Sequence, residues 1–260
     1  MVTMVAAGWM SRGPQPRIRL VGPVEQGGTA CLAIGDELTF DVHVDDPPFT
    51  VAAAQFGVSY NRRKFLLEGL EPGDPPFTEL PFVEIDESVG SVLWMSSVPA
   101  ASSGSDQSAR VARLRFRVLE DDCGGAEQVA FDPMPELVVI ASGSGQSASP
   151  PCTNPAPVVI DSAPPVLSGI PLDRTVRALG APCLATLVLT PPTAADACSP
   201  SVPVTWTRSD GASTLDAPWP CGLTVVTWRA VDACGRATTG TTRVKVNPRG
   251  GRVPDPAVPQ

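Results

Sequence analysis

Apolar and polar side chains alternate with a period of two in several short stretches of the first half of the chain. In 38–44, Leu38, Phe40, Val42 and Val44 fall on one side, while Asp41 and His43 fall on the other. Residues 52–60 repeat the pattern, with Ala54, Phe56, Val58 and Tyr60 predicted inward. In 109–118, Val111, Leu114, Phe116 and Val118 are apolar, and arginines alternate with them from Arg113. Segments 17–21, 91–95, 128–131 and 157–160 also read as strands. The stretch 61–67 reads as a single helical turn at most.

The second half follows the same logic with different punctuation. It opens at Asp161-Ser-Ala-Pro-Pro-Val166 and passes through Pro191-Pro-Thr-Ala-Ala-Asp-Ala-Cys198. It closes on Thr224-Val-Val-Thr-Trp-Arg-Ala-Val-Asp-Ala-Cys-Gly235. Apolar runs at 184–190 and 223–228 predict two of its strands. Between the halves lies the turn-rich 142–151, which reads as a loop or linker. The expected organisation is a loose N-terminus at 1–16, one domain at 17–160, a second at 161–247 and a tail at 248–260. The fold class is all-β, two β-sandwiches in tandem.

Composition supports this class. The 260 residues include 30 Pro and 23 Gly, and Pro removes a backbone donor and blocks helix interiors. Short strands joined by many turns therefore fit better than helices. A net charge of −8 repels phosphate backbones and weakens attraction to anionic lipid, so no nucleic-acid partner is expected. No apolar run is long enough for a membrane span. The seven Cys are widely spaced and there is one His, His43, so zinc-type ligand spacing is missing. Such cysteines read as disulfides formed in an oxidising compartment. The start, Met1-Val-Thr-Met-Val-Ala-Ala-Gly-Trp-Met10, is apolar but lacks the basic opening of a signal peptide.

Residues 17–160 resemble the cellulosomal cohesins, within the wider group of carbohydrate-binding β-sandwiches. The carriers are the Gly35-Asp36 turn, Ala54-Gln-Phe-Gly-Val-Ser-Tyr60, Phe65-Leu-Leu-Glu68, Glu71-Pro-Gly-Asp74, the Trp94 strand and Ala112-Arg-Leu-Arg-Phe-Arg-Val118. The resemblance implies a nine-stranded jelly roll without catalytic residues, exported, that binds a protein module of dockerin type or a glycan. It departs from cohesins where they present an outward Asn and Asp to dockerin. Ala53 and Gln55 occupy those places, and Asn61 stands for the Asp after the Tyr. Gln55 and Ser59 are the outward candidates for partner contact. Residues 161–247 resemble the hyalin repeat, an immunoglobulin-like adhesion module, through the Asp-x-x-Pro-Pro opening and the two Asp-Ala-Cys steps.

Cys198 and Cys234 follow matching Asp-Ala steps and are expected to pair. Cys183 and Cys221, each ahead of an apolar strand, form a second expected pair. A cohesin-like topology implies Cys31 with Cys123, which leaves Cys152 as an unpaired or interchain thiol. Asp45-Asp46, Glu84-Ile-Asp-Glu87 and Glu120-Asp-Asp122 could offer oxygen to calcium, but EF-hand spacing is absent, and acidic turns explain them. His43 reads as a surface side chain, and Trp94 and Trp228 as core. Trp219 is packed under its Pro-rich loop or exposed for sugar stacking. No cofactor or metal is expected, and no enzyme activity. The functional expectation is an extracellular or cell-surface adhesion protein, whose first domain engages a protein partner and whose second serves as spacer. The alternative is a carbohydrate-binding module attached to polysaccharide-degrading or cell-wall machinery.

Overall fold

The computed structural model describes residues 16–23, 31–124, 128–132, 138–199 and 201–249. The chain forms two compact units, Met1–Ser162 and Ala163–Gln260, and every described element is a strand, turn or loop. The expected loose ends lie outside the described residues, apart from Pro16, Pro248 and Arg249.

In the first unit the strands are β1 (Arg17–Val21), β2 (Cys31–Leu32), β3 (Glu37–Asp45), β4 (Ala53–Tyr60), β5 (Phe65–Pro72), β6 (Glu79–Asp86) and β7 (Ser91–Ser97). They continue as β8 (Ala109–Val118), β9 (Val129–Phe131), β10 (Val139–Ala141), β11 (Ser147–Ala148), β12 (Cys152–Thr153) and β13 (Val159–Ile160). One sheet has the order β12-β1-β3-β8-β5 and the other β11-β10-β4-β7-β6, with β9 also on β4. Each sheet turns its apolar side chains inward. Phe40, Val42, Leu114 and Phe116 from one sheet share a buried core with Phe56, Val58, Trp94 and Ile140 from the other. Phe116 is the hub: edge-on contacts reach Phe40, Tyr60 and Phe65, with centroids 5.7, 5.1 and 6.1 Å away.

Three expectations needed correction. Residues 61–64 form a turn closed by N–H groups of Lys64 and Phe65 on the Asn61 carbonyl, 2.9 Å each, and Phe65 then enters β5. The anticipated helical turn is lost because Phe65 is buried in the sandwich core and its strand pairs with β8. The stretch 142–151 contains a hairpin pairing Ala141 with Ser147. In the second unit, strand geometry within 184–190 is confined to Leu184–Ala185, because Thr190 is followed by Pro191-Pro192, which offer no ladder donors.

The second unit comprises β14 (Val166–Ser168), β15 (Arg174–Arg177), β16 (Leu184–Ala185), β17 (Thr193–Ala195), β18 (Val204–Arg208), β19 (Trp219–Pro220), β20 (Gly222–Val231) and β21 (Ala237–Asn247). Its main sheet is β15-β21-β20-β18, and two small ribbons, β14-β17 and β16-β19, accompany it. Trp219, Trp228, Val226, Val244 and Val246 form its core. Both indoles are satisfied: Trp219 Nε1 donates to Leu187 O at 2.8 Å and Trp228 Nε1 to Thr242 Oγ1 at 2.9 Å. The Arg208 guanidinium lies 3.7 Å over the Trp219 ring and bonds Asp210 and the Thr214, Ala217 and Pro218 carbonyls. The Pro-rich loop is thereby folded over Trp219, which is fully enclosed.

Candidate binding face

Because β-strands alternate, each sheet of the first unit also presents an outer face. The two outer faces differ in chemistry. On β3 and β8, Glu37 stands opposite Arg117, Asp41 opposite Arg113, and His43 opposite Arg110. Asp41 accepts two bonds from Arg113, Nε–Oδ1 2.7 Å and Nη2–Oδ2 2.8 Å. Arg117 bridges Glu68 (2.6 Å) and Glu37 (3.0 Å), Arg115 pairs with Glu71 at 2.8 Å, Arg19 pairs with Asp45, and Arg110 with Asp74. Burial works to raise the Asp41 carboxyl, and less so that of Asp74, but bonds from Arg113 and Arg110 and their charges hold both below the usual carboxylate range. These charges are already neutralised within the sheet.

The outer face of the other sheet reads in rows. Val139, Gln55, Met95 and Phe82 form one row; Gly57, Leu93 and Glu84 form the next. Ala141, Ala53, Ser97 and Glu79 flank them on one side, and Ala130, Ser59, Ser91 and Asp86 on the other. The centre is thus apolar with one amide, the flanks small and polar, and the β6 edge acidic. Lys and Arg are missing from these rows. Phe82 is 41% exposed, and Val83 and Ile85 on the same edge strand are 42% and 47% exposed. Phe82 belongs to the outer face, whereas Val83 and Ile85 stand opposite the inward Trp94 and Val92, so β6 is exposed on both of its sides.

The turn after β6 sets the acidic corner. Asp86 Oδ1 accepts from Ser88 Oγ at 2.6 Å and Ser88 N at 2.9 Å, which keeps its carboxyl below the usual range. Gly90 closes the turn with φ +77°, and a Cβ there would strike the Tyr60 carbonyl. Only glycine fits that position comfortably.

Of the residues anticipated for contact, Gln55 lies in the central row and Ser59 at one end; both are half-buried. Asn61 is committed to its turn, accepting from Arg63 N at 3.1 Å. Sequence reasoning missed Phe82 and the rest of β6, reading 84–87 as an acidic cluster. The signal was there in Pro81, the kind of residue confined to edge strands and bulges. The β6–β7 register indeed shifts between Glu79 and Phe82. The other acidic clusters are engaged structurally: Asp45 with Arg19, and Asp122 with Lys64 (2.8 Å) and Gln128 (2.7 Å).

The remaining candidates take up structural positions. His43, expected at the surface, is half-buried in the charged face, and burial, then the nearby Arg19, push its pKa down. Cys183 and Cys221 form a disulfide with a Cα–Cα separation of 5.5 Å. Cys31, Cys123, Cys198 and Cys234 are disulfide-bonded as well. Cys152 is a free thiol, and desolvation raises its pKa, which disfavours a reactive thiolate. Among the described residues no helix is long and apolar enough to cross a membrane.

No family model and no curated protein matches this chain. Solved structures similar to it include CaCohA2 from Clostridium acetobutylicum (14% identity, 56% of this chain, 92% of that one, TM-score 0.44). Another is the sixth cohesin of Acetivibrio cellulolyticus scaffoldin B in complex with a mutant Cel5 dockerin (14%, 57%, 100%, TM-score 0.45). A third is a non-cellulosomal cohesin from the archaeon Archaeoglobus fulgidus (14%, 57%, 93%, TM-score 0.41).

Proposed function

We propose that the first unit is a non-catalytic module that binds a protein partner through the outer face of β10, β4, β7 and β6. The observation that carries this reading is the difference between its two outer faces. A partner docking on the ion-paired face would have to strip water from charges that are already matched, which returns little. The neutral face loses water cheaply, gaining about 25 cal/mol per Å² of apolar area covered. Its apolar centre, small polar flanks and acidic edge follow the anatomy of protein interfaces. A basic rim on the partner would complement Glu79, Glu84 and Asp86 and speed the encounter.

The partner class is a dockerin-like module, as the sequence resemblance implies. With Ala53 in place of a polar contact residue, Met95, Leu93, Phe82 and Val139 take the larger share of the contact. The second unit serves as a hyalin-repeat-like spacer, and the setting is extracellular or cell-surface. Disulfide-bonded cysteines in both units support that compartment. Within this reading Cys31 pairs with Cys123 and Cys198 with Cys234. A polysaccharide partner is less well served: Trp94, Trp219 and Trp228 are enclosed in cores rather than exposed for stacking.

The test is binding of the full chain to immobilised dockerin modules by biolayer interferometry, with Met95→Asp and Asp41→Ala as variants. Retention should fall about 30-fold or more for Met95→Asp, as for a central interface residue, and stay unchanged for Asp41→Ala. Failure to retain any dockerin, or equal loss in both variants, would sink the proposal.

A further inference from the structure

The two Asp-Ala-Cys steps of the second unit do more than place cysteines. Asp196 follows β17, and its Oδ1 accepts N–H bonds from Cys198 and Ser199, both at 2.8 Å. Asp232 follows β20, and its Oδ1 accepts from Arg236 N at 2.8 Å. Ser199 Oγ accepts from Ala233 N at 2.9 Å, which ties one turn to the other. The two turns thereby bring carboxylate oxygens of Asp196 and Asp232 within 4.8 Å of each other.

The second oxygen of Asp232 is the telling atom. Asp232 is only 7% exposed, and its Oδ2 accepts no hydrogen bond. A buried anionic oxygen without a donor, beside a second carboxylate, is unfavourable unless a positive charge offsets it. We propose that a divalent cation of the oxygen-seeking type, calcium in first place, binds between Asp232 Oδ2 and the Asp196 carboxylate. Oxygen from water and backbone carbonyls would complete its shell. The ion would lock the turns that end β17 and β20, so the stiffness of this unit would follow extracellular calcium.

The experiment uses the full chain stripped with EDTA, then scanned by calorimetry with and without 10 mM CaCl₂. Calcium is expected to raise the melting temperature of the wild type by about 5 °C or more, and to leave Asp232→Asn and Asp196→Asn unmoved. Asp106→Asn, an exposed acid elsewhere, should keep the full shift. Equilibrium dialysis of the wild type against ⁴⁵Ca measures the ion directly and does not depend on the variants folding. If the countercharge is instead the Arg236 guanidinium or a shared proton, calcium leaves the wild type unchanged and no ion is retained. Either result, or an equal shift in Asp232→Asn, overturns the proposal.

Discussion

The two outer faces of the first unit are built on the same scaffold and share one core, yet they solve different problems. On β3 and β8 every outward acid named above meets an arginine across or along the sheet. On β4 and β7 the outward positions carry Gln55, Gly57, Leu93 and Met95, with no charge to match. The first face gains cross-strand pairs that fix register; the second leaves its surface open to a partner. Arginine abundance on β8 is therefore not a basic patch awaiting an anionic ligand. Each guanidinium is engaged within the sheet, and a formal count of charges would miss this.

The largest effect that separates the faces comes from Asp41. Its carboxylate holds Arg113 by two bonds and lies 3.5 Å from Arg110. Asp41→Ala strands the Arg113 guanidinium on a partly buried face and leaves Arg110 to Asp74 alone, with an expected loss of about 1–2 kcal/mol once solvent screening is counted. Glu84→Ala, at an exposed position of the other face, should stay within about 0.5 kcal/mol. Urea unfolding of each variant makes the comparison, and equal losses would erase the distinction between a bracing face and a binding face.

Legibility in the sequence tracked the strength of the local pattern. The inward set Leu38, Phe40, Val42, Val44, Ala54, Phe56, Val58 and Tyr60 was readable because period-two alternation matches a half-covered strand, and each of these residues is buried. β6 was not readable, because Pro81 breaks its alternation and both of its sides are exposed along most of its length. Pro81 alone hinted at an edge strand, while the pairing with β7 is a contact the local sequence does not encode. The same holds for Asp196 and Asp232. Their repeated Asp-Ala-Cys context was visible, but the approach of the two carboxylates depends on how β17 and β20 end in space. Trp219 illustrates a third case, since its Pro-rich loop is held down by Arg208, a residue whose sequence neighbours give no hint of it.

Acid titration sharpens the contrast at an intermediate scale. Asp41 and Asp74 have folded pKa values below their unfolded ones, so the unfolded chain binds more protons in that interval. Their stabilisation is complete above the unfolded carboxylate value of about 3.9 and is lost as pH falls through the folded values. Asp41→Asn should therefore flatten the decline in urea midpoint below about pH 4. Glu84→Gln on the neutral face should leave that decline unaltered, and a change of similar size there would mean the charged face carries no special share of acid stability.

The smallest expected effect belongs to His43, and it probes how enclosed the charged face is. The imidazole faces Arg19 from β1 and Arg110 from β8, with Asp41 and Asp45 on its own strand. Burial is the foremost cause of its lowered pKa, Arg19 the next, and the two aspartates oppose them. Below about pH 6.5 the unfolded imidazole takes up a proton before the folded one does, so stability declines as pH drops from 7 towards 5. His43 is the one histidine of the chain, which keeps this window free of other imidazoles. His43→Gln should remove the slope between pH 7 and 5, read as urea midpoint at constant ionic strength. A slope that survives the substitution would show that the ring sits in water, and the charged face would then be looser than its cross-strand ion pairs indicate.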